Sequence, residues 1–232
     1  MEKAPFKAGT SQVDITPPLG TVINGEFRCR YANKIADPLY AKALVLQDTA
    51  SALLIVMVDI CAMRRDFLDE VKKLIHQATG IPPHHQLIAS THTHSAGSVA
   101  DLLMGHIDWA YRKRLLGLIV QAAKMAFASL RPARIAWGSV DQPQHLLCRR
   151  YQMDADYQAV NPVTGALDAV KTNPFGDEHR IVGPTTKLDS GLGYLAVRGT
   201  DGQWISLLAN YSLHYVGDCE RGTISADYFG YF

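Results

Sequence analysis

Two histidines with the spacing of metal ligands follow an apolar run in the segment LIASTHTHSAGS, residues 87–98. They are His92 and His94, one residue apart. Side chains two positions apart on a strand project to the same face, so both imidazoles could reach one point. Imidazole nitrogen is a good zinc ligand at neutral pH, and catalytic zinc keeps one coordination position open. Local hydrogen bonding in a polar loop is the alternative, and His-x-His alone does not decide between the two.

Two further polar residues end apolar runs. His214 follows LLANYSL, and Asp59 ends IVMVD. If these runs are strands of one sheet, their carboxyl ends meet where open α/β folds place their ligands. His214 would then share a metal ion with the His92–His94 pair, whereas a lone histidine there would be structural. Asp59 could be a metal ligand, an orienter of a ligand histidine or a cap that ends its strand.

Hydrophobic periodicity predicts the elements that position these residues. Apolar runs at 41–47 and 51–60 indicate neighbouring buried strands, and 85–91 indicates another. Between them, apolar residues recur at helical spacing over 64–80, and Gly80 ends the pattern. Strand, helix and strand in this order form a βαβ unit. The predicted fold class is therefore α/β: a mixed sheet with parallel pairing, flanked by helices, with a metal site at the carboxyl edge of the strands.

The second half of the chain is less regular. A helix is predicted over 107–130, followed by the strand ARIAWGSV, and two strands near the C-terminus are joined by Thr200-Asp201-Gly202, a hairpin signal. Residues 141–190 show little periodicity. We expect one domain over 1–232, incomplete at its C-terminus, with a long irregular insertion at about 141–190.

Composition excludes several classes of function. The 23 basic and 22 acidic residues give a net charge of +1, so we expect no nucleic-acid partner. Four scattered cysteines without a C-x-x-C pair argue against a zinc knuckle and a disulfide framework. The apolar run at 52–63 is too short to cross a bilayer. The N-terminus has no signal-peptide core, so the chain as written is cytoplasmic; a secreted or periplasmic protein with its signal removed would look the same.

Six segments, taken in order, resemble the N-terminal catalytic domain of the neutral (neutral/alkaline, non-lysosomal) ceramidase family. The similarity runs through most of the chain and is weakest over 141–190. The six segments are AGTSQVDITPPLG (8–20), DPLYAKALVLQD (37–48), VDICAMRRDFLDEV (58–71), TGIPPHHQLIASTHTHSAG (79–97), LLANYSLH (207–214) and ISADYFGY (224–231).

The resemblance implies a zinc-dependent amidase that hydrolyses the N-acyl bond of ceramide to sphingosine and a fatty acid. It implies that His92 and His214 are zinc ligands, and that His94 is a catalytic neighbour that hydrogen-bonds in the site. Arg149 and Arg150, in the segment CRRY, resemble the arginine that enters the substrate pocket. Arg149 is therefore expected in catalysis and Arg150 in substrate binding.

Two acidic residues are expected to support the site from behind the ligands. They are Asp59 and Asp227, the latter in the segment SADY, where an Asp at a helix start can cap free N–H groups. The resemblance also implies a lipid amide as substrate, and with it peripheral contact with a membrane.

Relatives in this family continue beyond the position that matches Phe232. Their remaining zinc ligands, a glutamate and a tyrosine, and a catalytic serine lie in that later part, so the resemblance implies a fragment or a truncated product. Gly97, Tyr215 and Phe229 stand where prolines are common in the family, which alters the pocket walls. The alternatives are therefore a metal-dependent hydrolase of another amide or ester, and a catalytically silent remnant.

Overall fold

The structure is a computed structural model that describes residues 6–214, 216 and 219–232. The chain divides into two compact units. The first unit comprises 1–136, 196–207 and 215–232, and the second comprises 137–195 and 208–214. One domain over the whole chain stays a prediction.

Sixteen strands and three α-helices are present in the described residues. The strands are β1 (Lys7–Asp14), β2 (Val22–Ile23), β3 (Arg30–Tyr31), β4 (Lys34–Ile35), β5 (Tyr40–Gln47), β6 (Ala52–Val58), β7 (Gln86–Ser90), β8 (Arg131–Asp141), β9 (Arg150–Met153), β10 (Ala159–Val160), β11 (Leu167–Asp168), β12 (Val170–Thr172), β13 (Ile181–Pro184), β14 (Gly191–Gly199), β15 (Trp204–Asn210) and β16 (Thr223–Ile224). The helices are α1 (Arg65–Thr79), α2 (Trp109–Ala128) and α3 (Tyr228–Tyr231).

The main sheet has seven strands in the order β15-β14-β8-β1-β5-β6-β7. The β1–β8, β1–β5 and β5–β6 pairs are antiparallel, whereas β6 and β7 are parallel because α1 carries the chain back between them. The predicted fold class, a mixed sheet with parallel pairing flanked by helices, is confirmed.

Strand β1 was not predicted, although it occupies a central place in the sheet. Its sequence, KAGTSQVD, is rich in small and polar residues because α2 lies directly over it. A Cβ at Gly9 would lie 2.2 Å from the carbonyl oxygen of Ala126, so only glycine permits this approach. Ser11 Oγ donates to the carbonyl oxygen of Ala122 at 2.7 Å and joins the strand to the helix.

The two long helices bury one apolar face each. Phe67, Val71 and Ile75 are the buried residues of α1, and Gly80 ends that helix as predicted, its N–H bonded to the carbonyl oxygen of His76. Helix α2 begins at the side chain of Asp108, which accepts a hydrogen bond from the Tyr111 N–H. No helix among the described residues is long and apolar enough to cross a membrane.

The second unit is built from short strands. Strands β12, β9 and β13 form one small sheet, and β10 and β11 form a hairpin. Arg180 Nη1 pairs with Asp154 Oδ1 at 3.2 Å, and Lys171 pairs with Asp177. The segment with little periodicity in the sequence is therefore held mainly by backbone pairing and surface ion pairs.

Candidate metal centre at the carboxyl edge of the sheet

Parallel pairing brings the ends of β6 and β7 together at one edge of the sheet. Backbone hydrogen bonds continue past both strands: Thr91 N donates to Val58 O at 2.9 Å, and His92 N donates to Ile60 O at 3.0 Å. The ladder thus extends to the segment VDIC on one side and to THTH on the other. Cys61 and His92 become neighbours as a result.

His92 adopts a left-handed backbone conformation, with φ of 73°. This conformation costs an L-residue about 1–2 kcal/mol. The side chain is fixed by a hydrogen bond of 2.7 Å between His92 Nδ1 and the carbonyl oxygen of Cys61. A carbonyl oxygen only accepts, so Nδ1 carries the proton and Nε2 is the basic nitrogen of the ring. A backbone carbonyl on one ring nitrogen is the usual way to orient a metal-binding imidazole.

His94 completes a compact pair with His92. The two Nε2 atoms lie 3.1 Å apart, and the two rings are perpendicular with centroids 4.7 Å apart. Because His92 Nε2 is the acceptor, His94 Nε2 donates in this arrangement. Cys61 Sγ lies 3.9 Å from His92 Nδ1, and one donor atom from each of the three side chains lies within 4.8 Å of the others. Nitrogen and sulfur donors of this kind suit zinc, so this group of residues fits a metal ion.

Cys61 was not predicted as part of the site. It is buried, and burial raises the pKa of its thiol to about 11, an effect that the nearby Arg30 guanidinium opposes. Its only signal in the sequence is its position: Cys61 follows Asp59 by two residues, just after a strand that pairs with the histidine-bearing strand. A single cysteine has no spacing pattern of its own, so it becomes visible only once that pairing is known.

The threonine between the two histidines faces the opposite side of the segment. Thr93 is fully buried, and its Oγ1 donates to the carbonyl oxygen of Ser225 at 2.7 Å. The backbone N–H of Ser225 in turn donates to the carbonyl oxygen of Ser95 at 2.9 Å. These two bonds hold the histidine segment against the segment SADY near the C-terminus.

A second residue that the sequence did not single out, Arg30, holds the backbone of His94. Its side chain is 6% exposed, and Nη2 donates to the carbonyl oxygens of His94 at 2.6 Å and Asn24 at 3.1 Å. Nη1 pairs with Glu26 Oε1 at 3.1 Å. Burial lowers the pKa of Arg30, and Glu26 opposes that shift. The guanidinium thus fixes the main chain directly beneath the catalytic candidate His94.

Gly25 lies against the ring of His94. Its φ is 105°, and a Cβ at this position would lie 2.7 Å from His94 Cγ. Glycine is therefore needed twice over, for the backbone conformation and for the space that the imidazole occupies.

Asp59 is buried just after β6 and makes the contacts of a strand-end cap. Its Oδ2 accepts from Tyr40 N at 2.8 Å, and its own N–H donates to Tyr40 O at 3.0 Å. Burial raises the pKa of this carboxyl, and the Tyr40 N–H opposes that shift. Among the described residues, the metal-ligating side chains that lie close together are Cys61, His92 and His94, and Asp59 is not one of them. A supporting role for Asp59 behind the ligands stays a prediction.

Asp227 begins α3, where its Oδ1 accepts from Tyr228 N at 2.6 Å. Asp37 anchors the residues just before it: its two carboxylate oxygens accept from Ser225 Oγ and from Ala226 N, each at 2.6 Å. Asp227 is therefore tied to the segment that holds Thr93, and its contribution to the site stays a prediction.

Three predicted site residues belong to the second unit. His214 follows β15 and is exposed, and Arg149 and Arg150 are exposed at the start of β9. Their roles as metal ligand, catalytic arginine and substrate-binding arginine stay predictions. Tyr215, where the sequence departs from the ceramidase pattern, lies outside the described residues.

No family model matches the sequence, and no curated protein matches it. Solved structures do match. Neutral ceramidase from Pseudomonas aeruginosa superimposes with a TM-score of 0.69 at 19% identity, covering 99% of this chain and 35% of that one. A ceramidase complexed with C2 superimposes with a TM-score of 0.67 at 19% identity, covering 98% of this chain and 34% of that one. The chain has the fold of about one third of neutral ceramidase.

The resemblance to neutral ceramidase that six short segments carried is thus confirmed at the level of the fold. The match covers nearly the whole chain, including the residues over 141–190 where the sequence resemblance was weakest. At this identity the likeness to neutral ceramidase establishes the fold alone. The chain spans about a third of the length of the neutral ceramidase structure.

Proposed function

We propose that this chain is the histidine-bearing part of a zinc-dependent hydrolase that cleaves an N-acyl amide bond in ceramide or a related lipid amide. The observation that carries the proposal is the His92–His94 pair at the carboxyl edge of a ceramidase fold. One imidazole is oriented through Nδ1, and its basic Nε2 lies 3.1 Å from the second imidazole. That arrangement suits a metal ligand with a proton-carrying neighbour.

The chemistry divides between a metal ion and the side chains around it. Zinc, when bound, lowers the pKa of a water ligand towards neutrality and polarises the amide carbonyl. His92 would hold it through Nε2 while the Cys61 carbonyl keeps the ring in place, and His214 would be the second ligand, as the family resemblance suggests. Water adds to the carbonyl carbon, the C–N bond breaks, and the fatty acid and the amine are released.

His94 carries the proton in this proposal. A metal ion on His92 Nε2 would displace the hydrogen bond from His94 Nε2, which lies 3.1 Å away, and would leave the His94 imidazole beside the ion, where it would pass a proton to the departing amine, a contribution typically worth 10²–10⁴-fold in rate. Arg30 keeps the His94 backbone in place. Arg149 stabilises the oxyanion, and Arg150 contributes to substrate binding, as the family resemblance suggests.

Exposed apolar side chains near His94 support a lipid substrate. Phe27 is 81% exposed and Met104 is 61% exposed. The two loops that carry them are joined where Met104 N donates to Glu26 O at 3.4 Å, next to Gly25, which contacts His94. An acyl chain or a membrane surface is the partner that such side chains would contact, which favours a lipid amide over a small polar one.

Hydrolysis of a fluorescent ceramide by the protein that contains this chain tests the proposal. We expect activity that a chelator removes and zinc restores. His94→Gln should lower kcat by at least about 100-fold while zinc content is retained. His92→Ala should lower both zinc content and activity.

Three outcomes would contradict the proposal in different ways. Activity indifferent to the chelator would exclude the zinc mechanism. Hydrolysis of a short ester or a polar amide in preference to ceramide would replace the substrate class and keep the reaction. A protein that binds zinc but hydrolyses none of these substrates would be the catalytically silent remnant.

A further inference from the structure

We propose that the thiolate of Cys61 is a ligand of the same metal ion as His92. The inference rests on the proposed function for the presence of a metal, and adds a sulfur donor that the family resemblance does not supply. His94 is not included as a ligand. The 3.1 Å between the Nε2 atoms of His92 and His94 fits either two ligands of one metal ion or a hydrogen bond between the two rings.

The geometry brings the sulfur to the histidines without a long movement. One donor atom from each of Cys61, His92 and His94 lies within 4.8 Å of the others, and Sγ lies 3.9 Å from Nδ1, the protonated nitrogen of the ring whose Nε2 would bind the ion. Zinc–nitrogen distances of about 2.0–2.1 Å and a zinc–sulfur distance of about 2.3 Å place tetrahedral donor atoms roughly 3.3–3.6 Å apart. A side-chain shift of about 1 Å or less per residue therefore closes the set around one ion.

The main chain ties the two candidate ligands to each other. The carbonyl of Cys61 accepts the His92 Nδ1–H, and His92 N donates to the carbonyl of Ile60. The residue that orients the imidazole is therefore the residue that presents the sulfur. A buried cysteine is usually a small apolar side chain in a core, but the sulfur of Cys61 lies against imidazole nitrogen at a sheet edge.

A thiolate at this position predicts which metals bind. Thiolate and imidazole donors select zinc and cobalt over magnesium and calcium, which prefer oxygen ligands. We therefore expect zinc and cobalt to bind this chain in the presence of a large excess of magnesium.

Cobalt loading and zinc X-ray absorption of the purified chain test the inference without any assay of hydrolysis. The parent protein should show a sulfur-to-cobalt charge-transfer band in the near ultraviolet and a zinc–sulfur shell at about 2.3 Å. Cys61→Ser keeps the side-chain volume and should abolish both signals. Its dissociation constant for zinc should rise by more than the roughly 10–100-fold seen when an outer-shell residue is lost.

Cys29→Ala is the matched control, because it removes another thiol of the same unit and should leave both sulfur signals intact. Thermal melting followed by circular dichroism shows whether each variant is folded, and Cys61→Ala provides a second variant if the serine does not fold. The Cys61 proposal would be overturned if the parent protein bound metal through His92 without a sulfur signal and Cys61→Ser bound it with equal affinity. The proposed zinc chemistry would stand in that case. A parent chain that binds neither zinc nor cobalt would also overturn the Cys61 proposal, whereas the proposed zinc chemistry is decided separately by the chelator experiment on hydrolysis.

Discussion

His92 and Cys61 are joined by a hydrogen bond of 2.7 Å from the imidazole Nδ1 to the backbone carbonyl. The bond connects the ends of two parallel strands and determines which nitrogen of His92 is basic. It also holds a histidine whose φ is 73°, a conformation that costs free energy in the folded protein. The candidate site therefore includes a strained residue that its surroundings keep in place.

This strain gives a prediction for two variants of His92. Both His92→Ala and His92→Gly remove the imidazole, but only glycine adopts positive φ without steric cost. In the metal-free protein, we expect the glycine variant to exceed the alanine variant in free energy of unfolding by roughly 1 kcal/mol. Urea denaturation of both variants measures the difference. An alanine variant as stable as the glycine variant would show that the conformation at His92 is not strained.

Arg30 should be necessary for the stability of the site. Arg30→Met removes the donor that joins the carbonyl oxygens of His94 and Asn24, and leaves both without that partner. We expect a loss of about 2–4 kcal/mol in free energy of unfolding, because hydrogen bonds to a charged group contribute about 1.5–3 kcal/mol each. Arg30→Lys retains the charge but lacks the planar fork, so it should recover only part of the loss. Equal stability of the methionine variant and the parent would contradict this role.

Gly25→Ala should displace His94 without unfolding the protein. The added methyl group would lie 2.7 Å from the imidazole, so the ring must leave its present position beside His92. Gly20→Ala is the control, since Gly20 also has positive φ, 88°, but a Cβ there meets nothing within 4 Å. Both variants should lose about 1 kcal/mol of stability from backbone strain. Only Gly25→Ala should shift the His92 and His94 ring resonances in NMR spectra, and the same shifts in Gly20→Ala would rule out the steric explanation.

Asp48 supplies a prediction about pH. Its Oδ1 accepts from Ala50 N and Ser51 N in the turn between β5 and β6, and these bonds hold the pKa of the carboxyl below its usual value. A depressed pKa in the folded state means that the stabilisation is present above the unfolded pKa of about 3.9 and is lost as pH falls through the folded value. Asp48→Asn keeps an acceptor oxygen and does not titrate. As pH falls from about 6 to about 3, the parent should therefore lose free energy of unfolding relative to the Asp48→Asn variant. A pH-independent difference between the two proteins would contradict the assignment.

The sequence predicted the elements whose apolar pattern is strong. The runs that form β5, β6 and β7 and the helical spacing of α1 were sufficient to indicate the parallel pair, and that pair brought His92 and His94 to the carboxyl edge of the sheet. Strand β1 escaped prediction because its small and polar residues reflect the close approach of α2, a tertiary constraint without periodicity.

The rest of the site depends on contacts that leave no pattern in the sequence. Cys61 enters through the register of two strands, and Arg30 through backbone carbonyl oxygens that any residue type could supply. The left-handed conformation of His92 is likewise a product of its surroundings, since histidine adopts positive φ more often than most residues but only in a small minority of cases. Side chains that bind backbone atoms are the ones for which a single sequence gives the least information.

The alternation in THTH separates the chemistry of this segment from its architecture. The histidines lie on the side of Cys61, while Thr93 lies on the other side and is bonded to Ser225. Donor atoms on the first side can therefore be exchanged, imidazole for carboxylate or thiolate, without rebuilding the hydrogen bonds on the second. Such an edge is a modular scaffold, on which new reactivity can be introduced by single substitutions while the fold remains unchanged.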